Sequence, residues 1–314
     1  MNPLSGLYGA GIALRNTLFD RGVLPVLRLE HPVVSVGNVS TGGTGKTPFV
    51  MAIAELLRQA NISCDVLSRG YGRKTRGVLV VDPNGRASDF GDEPLLIARK
   101  LGVPVIVGES RYEAGRLAEQ KFQSQIHLLD DGFQHRSLAR DFDIVLLAAA
   151  DLEDRLLPVG RLREPLSSLR RADAIVTPQD LALARLNITE KPVWRMRREI
   201  SLSNVPAWPI VFCGIAKAAQ FFSHVRGAGI TPAREIAFHD HHAYNPDDIQ
   251  ALRRARSEQN AGGFITTEKD AINLGSLASG LDPLAVVTLR VTIDNPAELV
   301  DTILMRIAGR KPLS

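Results

Sequence analysis

The stretch VVSVGNVSTGGTGKTPFV, residues 33–50, decides the fold. Its β-branched run Val33–Val36 reads as a buried strand. From Lys46 to position 60 the apolar residues Phe49, Val50, Ile53, Leu56 and Leu57 return at helical spacing. A glycine-rich turn joins the two, and strand, glycine turn and helix in that order form the context of a phosphate-binding loop. Gly42, Gly43 and Gly45, with Thr44 among them, let backbone N–H groups converge on one point. The helix N-terminus adds partial positive charge there. Lys46 is then placed for β- and γ-phosphates and the Thr47 hydroxyl for Mg²⁺. One position departs from the strict pattern G-x-x-x-x-G-K-[ST]. Its first glycine falls at position 40, where the chain has Ser40.

A phosphate loop needs an acid from a neighbouring strand to hold its metal. The apolar run Ile126-His127-Leu128-Leu129 ends in Asp130-Asp131-Gly132, which makes Asp130 the expected metal ligand and Asp131 a contact to the metal shell or the nucleophile. A guanine-nucleotide D-x-x-G starting at Asp130 fails at its fourth place, Phe133. In Thr267-Glu268-Lys269-Asp270 the lysine stands one place too late for a guanine-reading motif, so ATP is the expected nucleotide. Partitioning-type ATPases with a deviant loop carry a lysine just before Gly-Gly, and here that residue is Thr41.

Around this core, short β-rich runs alternate with helical patterns, which predicts an α/β fold with a P-loop NTPase-like, mainly parallel sheet flanked by helices. A first domain is expected over residues 1–192 and a second, smaller α/β domain over 205–286. Two extended stretches, Val193–Ile200 and Val287–Ile293, are expected to pair as a two-stranded connector, returning the C-terminal segment 294–314 to the first domain as a helix. Asp92, in Phe90-Gly91-Asp92-Glu93-Pro94, is either a helix N-cap or a catalytic acid. The run His239-Asp240-His241-His242 lacks the partners of a tetrahedral zinc set and reads as a surface turn, or as one histidine positioned by Asp240.

The 38 basic and 34 acidic residues give a net charge of +4, too small a bias to call for nucleic acid. Cys64 and Cys213 lie far apart, as suits a reducing cytoplasm. Residues 4–14, LSGLYGAGIAL, carry no charge but fall far short of the roughly 20 apolar residues of a membrane span. Leu4, Leu7, Leu14 and Leu18 share a helical face. That face either packs on the domain or lies in a membrane interface.

VGNVSTGGTGKTP, SRGYGR, GDEP, LLDDGFQH, LLPVGRLREP, CGIA, FHDHHAY and TTEKDA occur in this order along nearly the whole chain. In these blocks the sequence resembles the tetraacyldisaccharide 4'-kinases, the lipid A 4'-kinase family of Gram-negative bacteria. The resemblance implies transfer of the γ-phosphoryl group of ATP, with Mg²⁺, to the 4'-hydroxyl of a lipid A precursor disaccharide. It implies a monomer on the cytoplasmic face of the inner membrane, bound through residues 4–27. It makes Asp92, supported by His241 and Asp131, the catalytic group. Asn38, Arg69, Gln134, Arg163 and Glu164 are then expected to bind substrate. Arg161 stands where the family more often has proline.

Overall fold

The computed structural model describes residues 3–178, 181 and 190–309. In chain order its principal elements are α1 Pro3–Asp20, β1 Val33–Asn38, α2 Lys46–Gln59, β2 Cys64–Ser68, β3 Leu79–Val80, α3 Ala87–Phe90, α4 Asp92–Leu101, β4 Val105–Val107, α5 Arg111–Lys121, β5 Ile126–Asp130 and β6 Phe142–Leu146. There follow β7 Ala174–Pro178, β8 Val193–Ser201, β9 Ile210–Cys213, α6 Ala218–Gly227, β10 Arg234–Ala237, α7 Pro246–Glu258, β11 Phe264–Thr267, α8 Glu268–Leu274, β12 Leu284–Ile293 and α9 Pro296–Ala308. The last five residues of the expected C-terminal helical segment lie outside the described residues.

Among the described residues one sheet of twelve strands runs in the order β10-β9-β11-β12-β8-β7-β6-β1-β5-β2-β4-β3. Its neighbours pair in parallel except β3 with β4 and β8 with β12. Parallel strands covered on both faces read as continuous apolar runs, and β1, β2, β5 and β6 are buried at every position. β1 lies between β5 and β6, with Val36 beside Asp130. The loop leaving β1 and the acids ending β5 therefore emerge together at the carboxyl edge of the sheet, where open α/β sheets bind ligands.

Phe49, Val50, Ile53 and Leu57 of α2, Leu95 and Ile97 of α4, and Leu299, Val300 and Ile303 of α9 cover one face of this half. Ala114 and Ala118 of α5 pack on Leu67, Ile106 and Leu129 on the other. Each fully buried Leu, Ile or Phe contributes about 1.5–3 kcal/mol relative to exposure. In the far half α7 packs Ile249 and Leu252 on Phe212 and Phe264, while α6 packs Phe221 and Val225 on Val211 and Ile265.

β12 links the halves as a single long strand. Leu284–Val287 pair in parallel with β11, and Thr288–Ile293 pair antiparallel with β8. Two segments that read separately in the sequence are thus one element, and the expected connector is its second part with β8. Strand β7 and helix α8 do not stand out in the sequence pattern.

The apolar face of α1 points away from the protein. Leu4, Leu7 and Leu14 are 60%, 75% and 62% exposed, so that face does not pack on the domain. The inward face carries polar anchors. The Tyr8 hydroxyl donates to the Arg163 carbonyl at 3.0 Å, and Asn16 Nδ2 donates to Glu164 Oε2 at 2.9 Å.

Candidate active site

The phosphate loop is held from both sides. Gly45, the α2 N-cap, has φ +90°, a left-handed conformation that a side chain would strain. Beneath it Asn38 is fully buried. Its Nδ2 donates to the Thr44 hydroxyl at 3.0 Å, and its Oδ1 accepts from Lys46 Nζ at 3.1 Å. Asn38 thus braces the loop from below rather than lining the open cleft.

The loop geometry also accounts for Ser40. Val39, Ser40 and Thr41 run extended beside Arg161–Arg163. Thr41 N–H donates to the Arg161 carbonyl at 2.7 Å, and Arg163 N–H donates to the Val39 carbonyl at 2.7 Å. Ser40 is buried in this short pairing and has no positive φ, so glycine is not required there. Arg161 enters the pairing through its backbone, which tolerates any side chain. Its own guanidinium bonds Asp154 at 2.7 Å.

Asp131, with φ 54°, turns its carboxylate between Lys46 at 3.3 Å and Arg163 at 2.9 Å. Burial pushes its carboxyl up, but Lys46 and Arg163 outweigh that and hold it below the usual range. Gln134 accepts from Arg163 at 3.2 Å and donates to the Asn38 carbonyl at 2.8 Å, joining the β5 turn to the loop. Glu164 is buried away from this cleft, under α1, where Arg171 donates to it at 2.9 Å. Arg69 is exposed and lines a cleft of about 380 Å³ with Tyr71, Arg73 and Lys74.

Asp130 is buried, and its Oδ1 has no hydrogen-bond partner. The other oxygen has the Ser68 hydroxyl at 3.5 Å. Burial first, then Glu93 and Asp131, raise its carboxyl well above the ordinary range. A hard divalent cation supplies what this oxygen lacks, so Asp130 and the nearby Thr47 hydroxyl fit Mg²⁺.

The N-cap of α4 is Gly91, not Asp92. Its φ is +90°, and a Cβ there would stand 2.9 Å from the Tyr71 carbonyl oxygen. Asp92 opens the helix with its carboxylate turned to the other half of the molecule. His241 Nδ1 donates to Oδ2 at 2.8 Å and Asn273 Nδ2 at 3.2 Å, with Lys269 Nζ 3.7 Å away. Lys269 also donates to His241 Nε2 at 3.2 Å and to Glu93 Oε1 at 3.1 Å. In the neutral ring Nε2 accepts from the lysine and Nδ1 carries the proton given to Asp92.

Asp240 does not position this ring. Its Oδ1 accepts from the His241 backbone N–H at 3.1 Å, while its Oδ2 lies 3.9 Å from Nε2. His241 instead sits at φ 56° with the Tyr71 ring 5.0 Å from its own. His239 and His242 turn to each other and, through His242, to Asp248 at 2.9 Å. Burial pushes Asp92 up, but the His241 hydrogen bond and the Lys269 charge outweigh it and hold the carboxyl low. The Asp92 hydrogen bond raises His241 above its ordinary value of 6.5.

Between the two acid clusters the Thr47 hydroxyl lies 3.3 Å from Glu93 Oε2. From the far half Lys217 Nζ donates to the Gly43 carbonyl at 3.3 Å, and Arg198 on β8 lies beside Gly45. Glu93, Lys269, Asn273, Lys217 and Arg198 are the site residues that sequence reasoning missed. For Lys269 a signal existed, since Thr267 caps α8 by accepting from Asp270 N–H, a helix start legible as T-x-x-D.

A family model described as LpxK, Tetraacyldisaccharide-1-P 4'-kinase, matches residues 1–308. The chain belongs to this family. It is 47% identical to a tetraacyldisaccharide 4'-kinase of Koribacter versatilis, over 99% of this chain and all of that one. To the Aquifex aeolicus relative of the same name it is 38% identical, over 95% of each chain. A crystal structure of LpxK from Aquifex aeolicus, described as an "apo" form in complex with ATP, matches with a TM-score of 0.81 at 37% identity. That match covers 97% of this chain and 98% of the other.

Proposed function

We propose that this family member transfers the γ-phosphoryl group of ATP to the 4'-hydroxyl of a tetraacyldisaccharide 1-phosphate, with Asp92 accepting the hydroxyl proton. The observation that carries the reading is the 2.8 Å contact between Asp92 and His241, made next to a complete phosphate loop. The loop amides and Lys46 bind the phosphates of ATP, and Thr47 with Asp130 would hold Mg²⁺. When bound, that ion neutralises charge developing on the transferred group.

A sugar hydroxyl is a poor nucleophile at neutral pH, and a positioned carboxylate that takes its proton late contributes about 10²–10⁴ in rate. Asp92 is kept ionised and aimed by His241 and Lys269. Asp131 and Arg163, with Gln134, shape the floor beside the loop, and Arg69 offers positive charge to the acceptor's phosphate. Residues 1–192, with the C-terminal helix, form the ATP-binding domain, and residues 205–286 form a smaller domain that supplies His241 and Lys269.

The exposed leucines of α1 suit a helix lying in the headgroup region of the cytoplasmic leaflet of the inner membrane, where an acylated acceptor resides. Among the described residues no helix is long and apolar enough to cross a membrane. The test is incubation of the purified protein with labelled ATP, Mg²⁺ and the acceptor in detergent. Label is expected on the lipid; ATP hydrolysis indifferent to lipid would overturn the reading.

A further inference from the structure

At the opposite end of the sheet from the phosphate loop, two imidazoles each turn an unpartnered nitrogen toward one carboxylate. His127 is the second residue of β5 and is fully buried. Its Nδ1 faces the buried Asp65 of β2 at 2.8 and 3.0 Å, and its Nε2 has no hydrogen-bond partner. His31, in the segment entering β1, also buries an unpartnered nitrogen, Nδ1. Between them stands Glu119 of α5, its Oε1 3.5 Å from His127 Nε2 and 3.7 Å from His31 Nδ1. All three ligand atoms lie within 4.8 Å of one another.

We propose that His31, Glu119 and His127 form a binding site for one divalent transition-metal ion, of which Zn²⁺ is the representative. Two imidazoles and a carboxylate are a known Zn²⁺ set that leaves a fourth position for water. Ligands about 2.0–2.1 Å from a tetrahedral ion stand roughly 3.3 Å apart, close to the two edges that meet at Glu119. The surroundings are those of a metal site. Asp65 accepts the Nδ1 proton of His127 and so leaves the Nε2 lone pair free for the ion, the carboxylate–histidine–metal arrangement. Arg116 donates to Glu119 Oε2 at 3.1 Å, turning Oε1 toward the imidazoles. The His31 backbone N–H also donates to Oε1, at 2.9 Å, leaving a lone pair for the ion.

The ion would tie the segment leaving α1 to β5 and α5. It would stabilise the sheet at the strand ends remote from phosphoryl transfer, and its presence does not rest on the kinase reading. The rival arrangement is a charged His127 ion-paired to Asp65 and Glu119 with no metal. The two are separated by calorimetric titration of the full chain, first dialysed against a chelator, with Zn²⁺ at neutral pH in the absence of ATP and Mg²⁺. One tight equivalent is expected, with a matching Co²⁺ complex whose visible absorption reports nitrogen and oxygen ligation.

His31→Ala, at a half-exposed position that folding tolerates, should abolish that equivalent. Asp65→Asn should weaken it by about 10–100-fold. Replacing His239 and His242 together by alanine should leave it unchanged. Absence of a stoichiometric equivalent, or an equivalent that survives His31→Ala or is lost with His239 and His242, would overturn the site.

Discussion

The unpartnered oxygen of Asp130 ties stability and function together at a single residue. A buried carboxylate raised by desolvation and by Glu93 is most costly to the fold at pH values well above its ordinary 3.8, where the unfolded chain ionises freely. Asp130→Asn removes that cost while removing a metal ligand. In the metal-free protein at pH 8 the variant should melt higher, because the amide cannot carry the buried charge. Mg²⁺ should no longer strengthen its ATP binding, as equilibrium binding with and without the ion will show. Because the Ser40 backbone is extended and paired, Ser40→Gly should leave ATP affinity unchanged and lower stability by about 0.5–1 kcal/mol, the entropic cost of glycine in a regular segment. Tighter ATP binding by that variant would mean the loop does need a glycine there.

Helices and strands show where the sequence speaks clearly and where it does not. The bounds of α2, α5, β4 and α9 are legible in the sequence within a residue or so. Strand β7 escapes the pattern, since its apolar run is short and ends in Pro178, and only the neighbours β6 and β8 make it a strand. Helix α8 is obscured because Lys269 falls one place from a nucleotide-reading motif; in the fold it faces Asp92 and Glu93. The site divides along the same line. Lys46, Thr47 and Asp130 are legible from local context, whereas His241 reaches Asp92 across 149 positions and no local pattern announces it. The family resemblance is what singled it out.

Helix α1 is anchored to the protein through Tyr8 and Asn16. Leu4, Leu7 and Leu14 face outward, so replacing those three leucines by serine removes exposed apolar surface. Thermal stability should move by no more than about 0.5 kcal/mol per site. Recovery on anionic phospholipid vesicles should fall sharply in a sedimentation assay. Unchanged recovery would place the membrane contact elsewhere.

Across the whole molecule, the acid from one half is tuned by residues of the other. The Asp92–His241 contact therefore clasps the two halves, and its pH dependence follows from the two shifts. His241 is raised, so its contribution is fully present below its ordinary 6.5 and is lost as pH rises through the raised value. Asp92 is lowered, so its contribution is present above 3.8 and is lost only as pH falls through the depressed value. The stability difference between the wild type and His241→Asn, a residue that tolerates the left-handed backbone, should be largest between these limits. It should shrink as pH rises above neutral; denaturant titrations across pH will show whether it does.

On this reading, chemistry and nucleotide binding come apart at Asp92. In Asp92→Asn, with ATP affinity and single-turnover transfer to the acylated disaccharide measured on the same preparation, transfer should fall by about 10²–10⁴ while the ATP Kd stays within about twofold. A collapse of ATP affinity in step with the rate would contradict the account and assign Asp92 to the nucleotide site.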